Sequence, residues 1–509
     1  MEKMGVSKQK VVLFLPKPRK HTYDNSLPLG LLKLASMIDR KKYDIKLISA
    51  GPDRDYKAEI VEESKDAVCV AAGIITGYPI LEAVDIVKRI RKVSPNVPVV
   101  WGGWHTSLFP QDTLESGYAD IVVKGQGERA FSEVVDALAE KKTLRGLPGI
   151  SFRDKNGKIV HNPPREFEDV NNFPPMPFDL INFEDYITDY DGMRAVSYVA
   201  SQGCPFACTF CSNATIFKQR WSAISNDKIL NDWKFFAEKG VEMILVCDDN
   251  FMVNEKKVND FCKRLIALKL PLKWSKANGR VRRFLSFNDD TWKLIKKSGC
   301  TDIEIGAESG LQSTLDYINK QLNVDEIVNF IEKARQYKLP VVSNWLLGIP
   351  TKNFKGATQE QIETCLDEEW EAMLVALDRC YGKHKDYEEI RVCAYYPYPG
   401  NQLYDFACEI GFKPPKDLED WGRLHTIPWF SDERKERIKM LLYFIFPYAR
   451  DGYLQRHSKY MIPLHIIFHY TAMLRWKYHF FGFPLDYKLY RALTNLRMRL
   501  TGKTATDHE

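Results

Sequence analysis

Short apolar runs and helical patterns alternate along two stretches of this chain. A proline-rich segment separates the stretches, and an aromatic tail follows them. In the first stretch the runs at 11–15, 45–50, 67–73, 97–101 and 121–123 have the length of buried strands, and Pro98 stands near the start of its run, where a strand tolerates it. Between them, 29–39, 80–93, 111–116 and 130–139 carry helical patterns. This alternation predicts a parallel, doubly wound sheet, on which ligands sit at the carboxyl ends of the strands. The turns Gly73-Ile74-Ile75-Thr76-Gly77, Gly102-Gly103-Trp104-His105 and Gly125-Gln126-Gly127-Glu128 each follow a strand and should gather at that edge. Glycine there lets a backbone approach a ligand closely.

Residues 146–193 change character, with Pro148, Pro163, Pro164, Pro174, Pro175 and Pro177 in a polar stretch. Segments 149–153 and 158–161 flank Asn156-Gly157, which predicts a hairpin. From 194 the alternation resumes, with strands expected at 195–200, 243–247, 272–277, 302–306, 341–347 and 391–396. Amphipathic helices are expected at 227–239, 255–268, 289–298, 313–319, 325–336 and 402–410. Six strand–helix units imply a partial (β/α)6 barrel with its working edge again at the strands' carboxyl ends. The expected division is an N-terminal doubly wound Rossmann-like domain (1–145), a linker (146–193), the partial barrel (194–415) and a helical C-terminal cap (416–509).

Composition narrows the class. A length of 509 residues with 45% hydrophobic and 28% charged content is ordinary for a multidomain globular protein. A net charge of +6 is too small at this length to argue for nucleic acid. Eleven scattered cysteines form no secreted disulfide framework, and no uncharged run reaches the span of a membrane helix, so a reducing cytoplasm is expected. The tail adds one qualification. Segments 441–447 and 462–474 are apolar, and residues 475–503 hold seven Lys or Arg against the single acid Asp486, interleaved with aromatics. Such a segment suits either the headgroup zone of an anionic membrane or a cap that closes the barrel.

The chemistry is concentrated at Cys204, Cys208 and Cys211, a Cys-x-x-x-Cys-x-x-Cys loop following the apolar run 196–200. Zinc would want a fourth Cys or His at short spacing, and none is near. Three thiolates leave one iron of a 4Fe-4S cluster open for a ligand. Each later strand also ends in polar or glycine-rich residues: Asp248-Asp249-Asn250, Glu308-Ser309-Gly310, Gly348-Ile349-Pro350 and Pro397-Tyr398-Pro399-Gly400.

The cysteine loop, with Phe210 just before its third cysteine, resembles the signature of the radical S-adenosylmethionine superfamily. The N-terminal stretch resembles the cobalamin-binding domain of the class B members, on Leu27-Pro28-Leu29-Gly30-Leu31, Thr76, Gly102-Gly103-Trp104-His105 and Gly125–Glu128. The resemblance implies three cofactors: the cluster on the three cysteines, S-adenosylmethionine chelated to its open iron, and cobalamin. It implies that Asp248 and Asp249 meet the methionine amine, Glu308 and Ser309 the ribose, and the Gly348–Ile349 backbone the adenine. For cobalamin it implies contacts from Leu29, Thr76, Gly77, Gly102, Gly103, His105 and Gly127. No Asp-x-His-x-x-Gly occurs, so no histidine is nominated as a lower cobalt ligand.

The expected activity is methylation of an unactivated carbon on a small-molecule or lipid-like substrate, with electrons from a reducing partner such as flavodoxin or ferredoxin and no nucleic-acid partner. The alternatives are a radical oxidative cyclase or rearrangement enzyme resembling the anaerobic magnesium-protoporphyrin monomethyl ester cyclase, and a non-catalytic cobalamin- or lipid-binding protein.

Overall fold

The computed structural model describes residues 8–19, 26–51, 54–381, 389–423 and 427–445, and in the tail 470–471, 474–475, 478, 480 and 483–501. The expected apolar segment at 462–474 lies largely outside them, and that at 441–447 is described only to Ile445, as the end of the helix Asp432–Ile445.

The N-terminal strands are β1 (Gln9–Leu15), β2 (Tyr43–Ser49), β3 (Ala67–Gly73), β4 (Val99–Gly102), β5 (Ile121–Val123), β6 (Ile150–Arg153) and β7 (Ile159–His161), in one sheet of order β2-β1-β3-β4-β5-β6-β7. The first five are parallel, in the doubly wound order whose switch point lies between β1 and β3. The hairpin expected in the linker forms, but it pairs antiparallel with β5, so residues 150–161 belong to this sheet rather than to a free connection. Both faces are apolar because helices cover both: Leu29–Ser36 and Glu128–Ala139 pack on one side, Tyr56–Glu63 and Tyr78–Val93 on the other.

The second unit contains β8 (Thr188–Tyr190), β9 (Met193–Tyr198), β10 (Ser201–Gly203), β11 (Trp221–Ala223), β12 (Met243–Val246), β13 (Lys273–Ser275), β14 (Ala277–Gly279), β15 (Ile303–Glu308), β16 (Val341–Leu347) and β17 (Glu389–Ala394). Strands β9, β12, β13/β14, β15, β16 and β17 are the six of a parallel partial barrel, and β8 adds an antiparallel edge. The third barrel strand is broken at Lys276, whose φ of 60° is left-handed. Asp302 holds the break, accepting from Lys276 N at 2.8 Å and Ser275 Oγ at 2.7 Å. Outward residues of the strands (Tyr198, Trp274, Trp345) are fully buried under helices, whereas Glu304, Asn344 and Arg391 are only half-buried and bond across neighbouring strands.

The helix Gln359–Tyr381 has no counterpart in the sequence reading. The short helix Leu418–Trp421 turns back onto the N-terminal unit, where Glu419 accepts from Lys88 Nζ at 2.9 Å and Tyr118 Oη at 2.6 Å.

Candidate active site

The cysteine loop leaves β10, and four attachments hold it at the carboxyl end of the barrel. The β10–β11 hairpin anchors its start. Thr209 N donates to Ile318 O at 3.0 Å, Asn319 Nδ2 to Ala207 O at 3.0 Å, and Ser212 Oγ to Pro399 O at 3.0 Å. Cys204, Cys208 and Cys211 are half-buried free thiols. Burial pushes the Cys204 thiol up, and the Phe206 backbone and Asn250 pull it partly back. The Cys211 thiol is pushed up to about 11, mainly by burial. Asn250 Nδ2 stands 3.7 Å from Cys204 Sγ, an amide donor on sulfur of the kind that tunes cluster thiolates. No three Cys, His, Asp or Glu side chains among the described residues gather around a single-ion position. A 4Fe-4S cluster, whose thiolates each bind a separate iron, fits this spread loop.

Around the loop, the strand ends divide into groups that face the site and groups used by the fold. Asp249 is exposed at the edge, and Glu308 ends β15 at φ 64°, ion-paired to Lys320 Nζ at 2.6 Å. Lys320 in turn lies 6.0 Å from the Phe210 ring centroid, so the pair closes against the cysteine loop. Although Asp249 reaches solvent, the protein crowded around its carboxyl raises it above the usual range, and Asn213 and the Gly203 backbone oppose the shift.

Asp248, expected at the methionine amine, faces into the fold. It is 4% exposed, and its oxygens accept from Ala200 N at 2.9 Å and from Ser201 Oγ, so it clamps the entry to the loop instead of reaching a ligand. Burial pushes its carboxyl up to about 6. Ser309 is likewise buried, and its Oγ accepts from Leu311 N at 3.1 Å as a turn cap. Gly348 does not offer its amide to adenine, because it donates to Glu369 Oε2 at 2.6 Å, and Ile349 is buried in the core. The Gly348 carbonyl is also taken, by Trp429 Nε1 at 3.0 Å.

Two cations escaped the sequence reading. Arg280 follows β14 and stacks 4.2 Å over the Phe206 ring inside the cysteine loop. Its Nη1 and Nη2 are buried with no hydrogen-bond partner among the described residues. A guanidinium left so is costly unless an anion meets it. A carboxylate or phosphate suits its planar fork, so Arg280 fits the carboxylate of S-adenosylmethionine at the open iron. Lys33, on the helix after β1, is desolvated, which lowers its ammonium pKa, while Glu128, Asp248, Asp232 and Asp249 pull it back up. No local motif marks either residue. The only signal in the sequence is that Arg280 immediately follows a strand.

The N-terminal edge faces this loop. Gln202 Nε2 donates to Glu128 Oε1 at 2.6 Å, Gln126 Nε2 to Gln202 Oε1 at 2.9 Å, and Leu27 N to Ser197 Oγ at 3.2 Å. Trp104 meets Phe217 edge-on at 6.0 Å. A cavity of about 190 Å³ lies between Ser107, Gly125 and Gln126 on one side and Thr215 and Phe217 on the other. Gly30, Gly73 and Gly125 border open space, and Ile75 is 48% exposed, so the edge offers a flat, partly apolar ledge that suits part of a corrinoid.

Several expected cobalamin contacts also serve the fold, while Gly103 stays exposed and Thr76, Gly102 and Gly127 half-buried at the edge. Leu29 is a core side chain. A Cβ on Gly103 would meet Ile74 O at 2.8 Å, so that glycine permits a close backbone crossing, and Gly102 packs against Val123. Gly127 lies against Leu34 and Val123, and Gly77 is buried at the start of Tyr78–Val93. His105 is fully buried between Phe109 and Trp421, with Nδ1 3.1 Å from Oγ1 of the half-buried Thr76, which holds the ring inside the fold. Burial lowers its imidazole pKa to about 4.

Comparison with known proteins agrees with this division. The B12 binding domain family matches residues 21–135, and the Radical SAM superfamily matches residues 198–358. An uncharacterized methyltransferase of Pyrococcus horikoshii is 30% identical over 387 residues, 75% of this chain and 78% of that one. The anaerobic magnesium-protoporphyrin IX monomethyl ester cyclase of Cereibacter sphaeroides is 28% identical over 349 residues, 67% of this chain and 55% of that one. The solved structure of the cobalamin-dependent S-adenosylmethionine radical enzyme OxsB superposes with a TM-score of 0.72 at 15% identity, covering 97% of this chain and 76% of that one, which shows a shared fold. The chain belongs to the cobalamin-binding radical S-adenosylmethionine family, whose cofactors are a 4Fe-4S cluster, S-adenosylmethionine and cobalamin.

Proposed function

We propose that this enzyme transfers a methyl group to an unactivated carbon of a small-molecule or lipid-like substrate. The observation that carries the reading is the direct apposition of the cysteine loop and the open edge of the N-terminal sheet, through Gln202–Glu128 and Trp104–Phe217. Bound there, the cluster would supply the electron that cleaves S-adenosylmethionine, and cobalamin would supply the methyl group. The chain's own residues bind and orient. Asp249 accepts the methionine ammonium, Arg280 meets the carboxylate, and Glu308, held by Lys320, accepts a ribose hydroxyl. The polar set Glu304–Asn344–Arg391, with bonds of 3.0 and 3.1 Å, braces the strands beneath them. Electrons come from a small reductant such as flavodoxin or ferredoxin, and the enzyme works in the cytoplasm.

Anaerobic reconstitution with methyl-labelled S-adenosylmethionine, cobalamin and reductant tests the reading. Labelled product together with 5′-deoxyadenosine is expected. The Cereibacter relative favours a second reading, oxidative cyclisation or rearrangement. On that reading 5′-deoxyadenosine forms while no label enters the product.

A further inference from the structure

We propose that the C-terminal helix Leu485–Thr501, with the aromatic turn before it, docks on an anionic membrane surface. One face of this helix is held by the protein. Tyr487 is 8% exposed and donates to Glu436 Oε1 at 3.0 Å, and Arg491 pairs with the same carboxylate. Among the described residues, the opposite face is exposed. Leu485 is 71% exposed, Leu489 53% and Leu496 54%. At about 100° per residue these three lie within about 40° of one another, so they form a single leucine stripe. The preceding turn adds Phe483, 83% exposed.

Charge identifies the occupant. Residues 475–503 contain seven Lys or Arg and one acid. That acid, Asp486, is already paired to Arg475 at 2.7 Å. Lys488 is exposed one position from Leu489, beside the stripe. An apolar stripe with a cationic border and no free acid matches the headgroup zone of an anionic bilayer, where leucine and aromatic side chains enter the acyl boundary and the cations meet phosphate. A second copy of this surface would bring like charges together. No helix among the described residues is long and apolar enough to cross a membrane.

The full chain, reconstituted with its cluster, is co-sedimented with vesicles of phosphatidylcholine alone or mixed with phosphatidylglycerol. Binding to the anionic vesicles at low salt is expected, with at least a tenfold loss in 0.5 M salt, since the attraction is screened within a Debye length. The double variant Leu485→Asp/Leu489→Asp and the single variant Lys488→Glu should each bind more weakly, the first by at least tenfold. Both should keep the parent melting temperature and 5′-deoxyadenosine formation, because these side chains face solvent. Absence of binding at low salt overturns the proposal, as does equal binding to both vesicle types. Sedimentation of a dimer that the leucine variants dissociate also overturns it, by giving the stripe to a second copy.

Discussion

At the residue scale, the site depends on side chains that have no substitute within the loop. Cys208→Ala leaves two thiols, and two thiolates do not keep a cluster with one distinct open iron. The variant should lose the broad visible absorption of the cluster and all 5′-deoxyadenosine formation, and retained absorption would refute the ligand assignment. Arg280→Gln tests the stacked guanidinium. The charge-assisted hydrogen bonds it removes are worth about 1.5–3 kcal/mol, so the dissociation constant for S-adenosylmethionine should rise about 10- to 100-fold. The cluster absorption should survive, since Arg280 touches Phe206 rather than a cysteine. The three cysteines were legible in the sequence because their spacing is itself the function. Arg280 was not, because only the fold lays its guanidinium on the Phe206 ring.

At the element scale, the helix Gln359–Tyr381 is anchored by Glu369, which accepts from the Gly348 amide just past the end of β16. Burial pushes the Glu369 carboxyl from the ordinary 4.5 to about 8, against the opposing pull of the nearby backbone and Arg434. The folded state therefore holds this proton more tightly than the unfolded chain. The resulting stability is fully present below about pH 4.5 and is lost as pH rises through about 8, at up to ~1.4 kcal/mol per pH unit. Thermal melts between pH 5.5 and 8.5 should show a falling midpoint in the parent and a flatter profile in Glu369→Gln, which keeps a carbonyl acceptor. Identical slopes would remove Glu369 as the source. This helix escaped the sequence reading because its apolar positions are interspersed with charge over 23 residues, and what it covers is visible only once β16 is in place.

At the scale of the whole molecule, the two units are joined through the cofactor edges and again by the Leu418–Trp421 clasp. Trp421 packs against His105 and Phe109, 5.8 and 5.1 Å between ring centroids, and seals that histidine inside the fold. With cobalamin bound to the full chain, the Co(II) form should show no nitrogen superhyperfine splitting in its electron paramagnetic resonance spectrum. Splitting that His105→Ala abolishes would show the ring can leave its pocket. His21, the other histidine near this edge in sequence, lies outside the described residues.

The sequence by itself determined the periodic elements, the parallel alternation and the cysteine loop. Each of these is a local property: apolar spacing selects strand or helix, and three thiolates on one loop need no distant partner to be recognised. The tertiary structure decided which strand-end residues face the site. Asp248 and Asp249 are adjacent and chemically identical, yet one is folded under Ala200 and Ser201 while the other is exposed at the edge. Gly103 and Gly125 likewise follow neighbouring strands, and one admits the Ile74 backbone while the other borders open space. Side-chain direction at a strand's end depends on what packs beside it, and the neighbours here come from segments tens to hundreds of residues away.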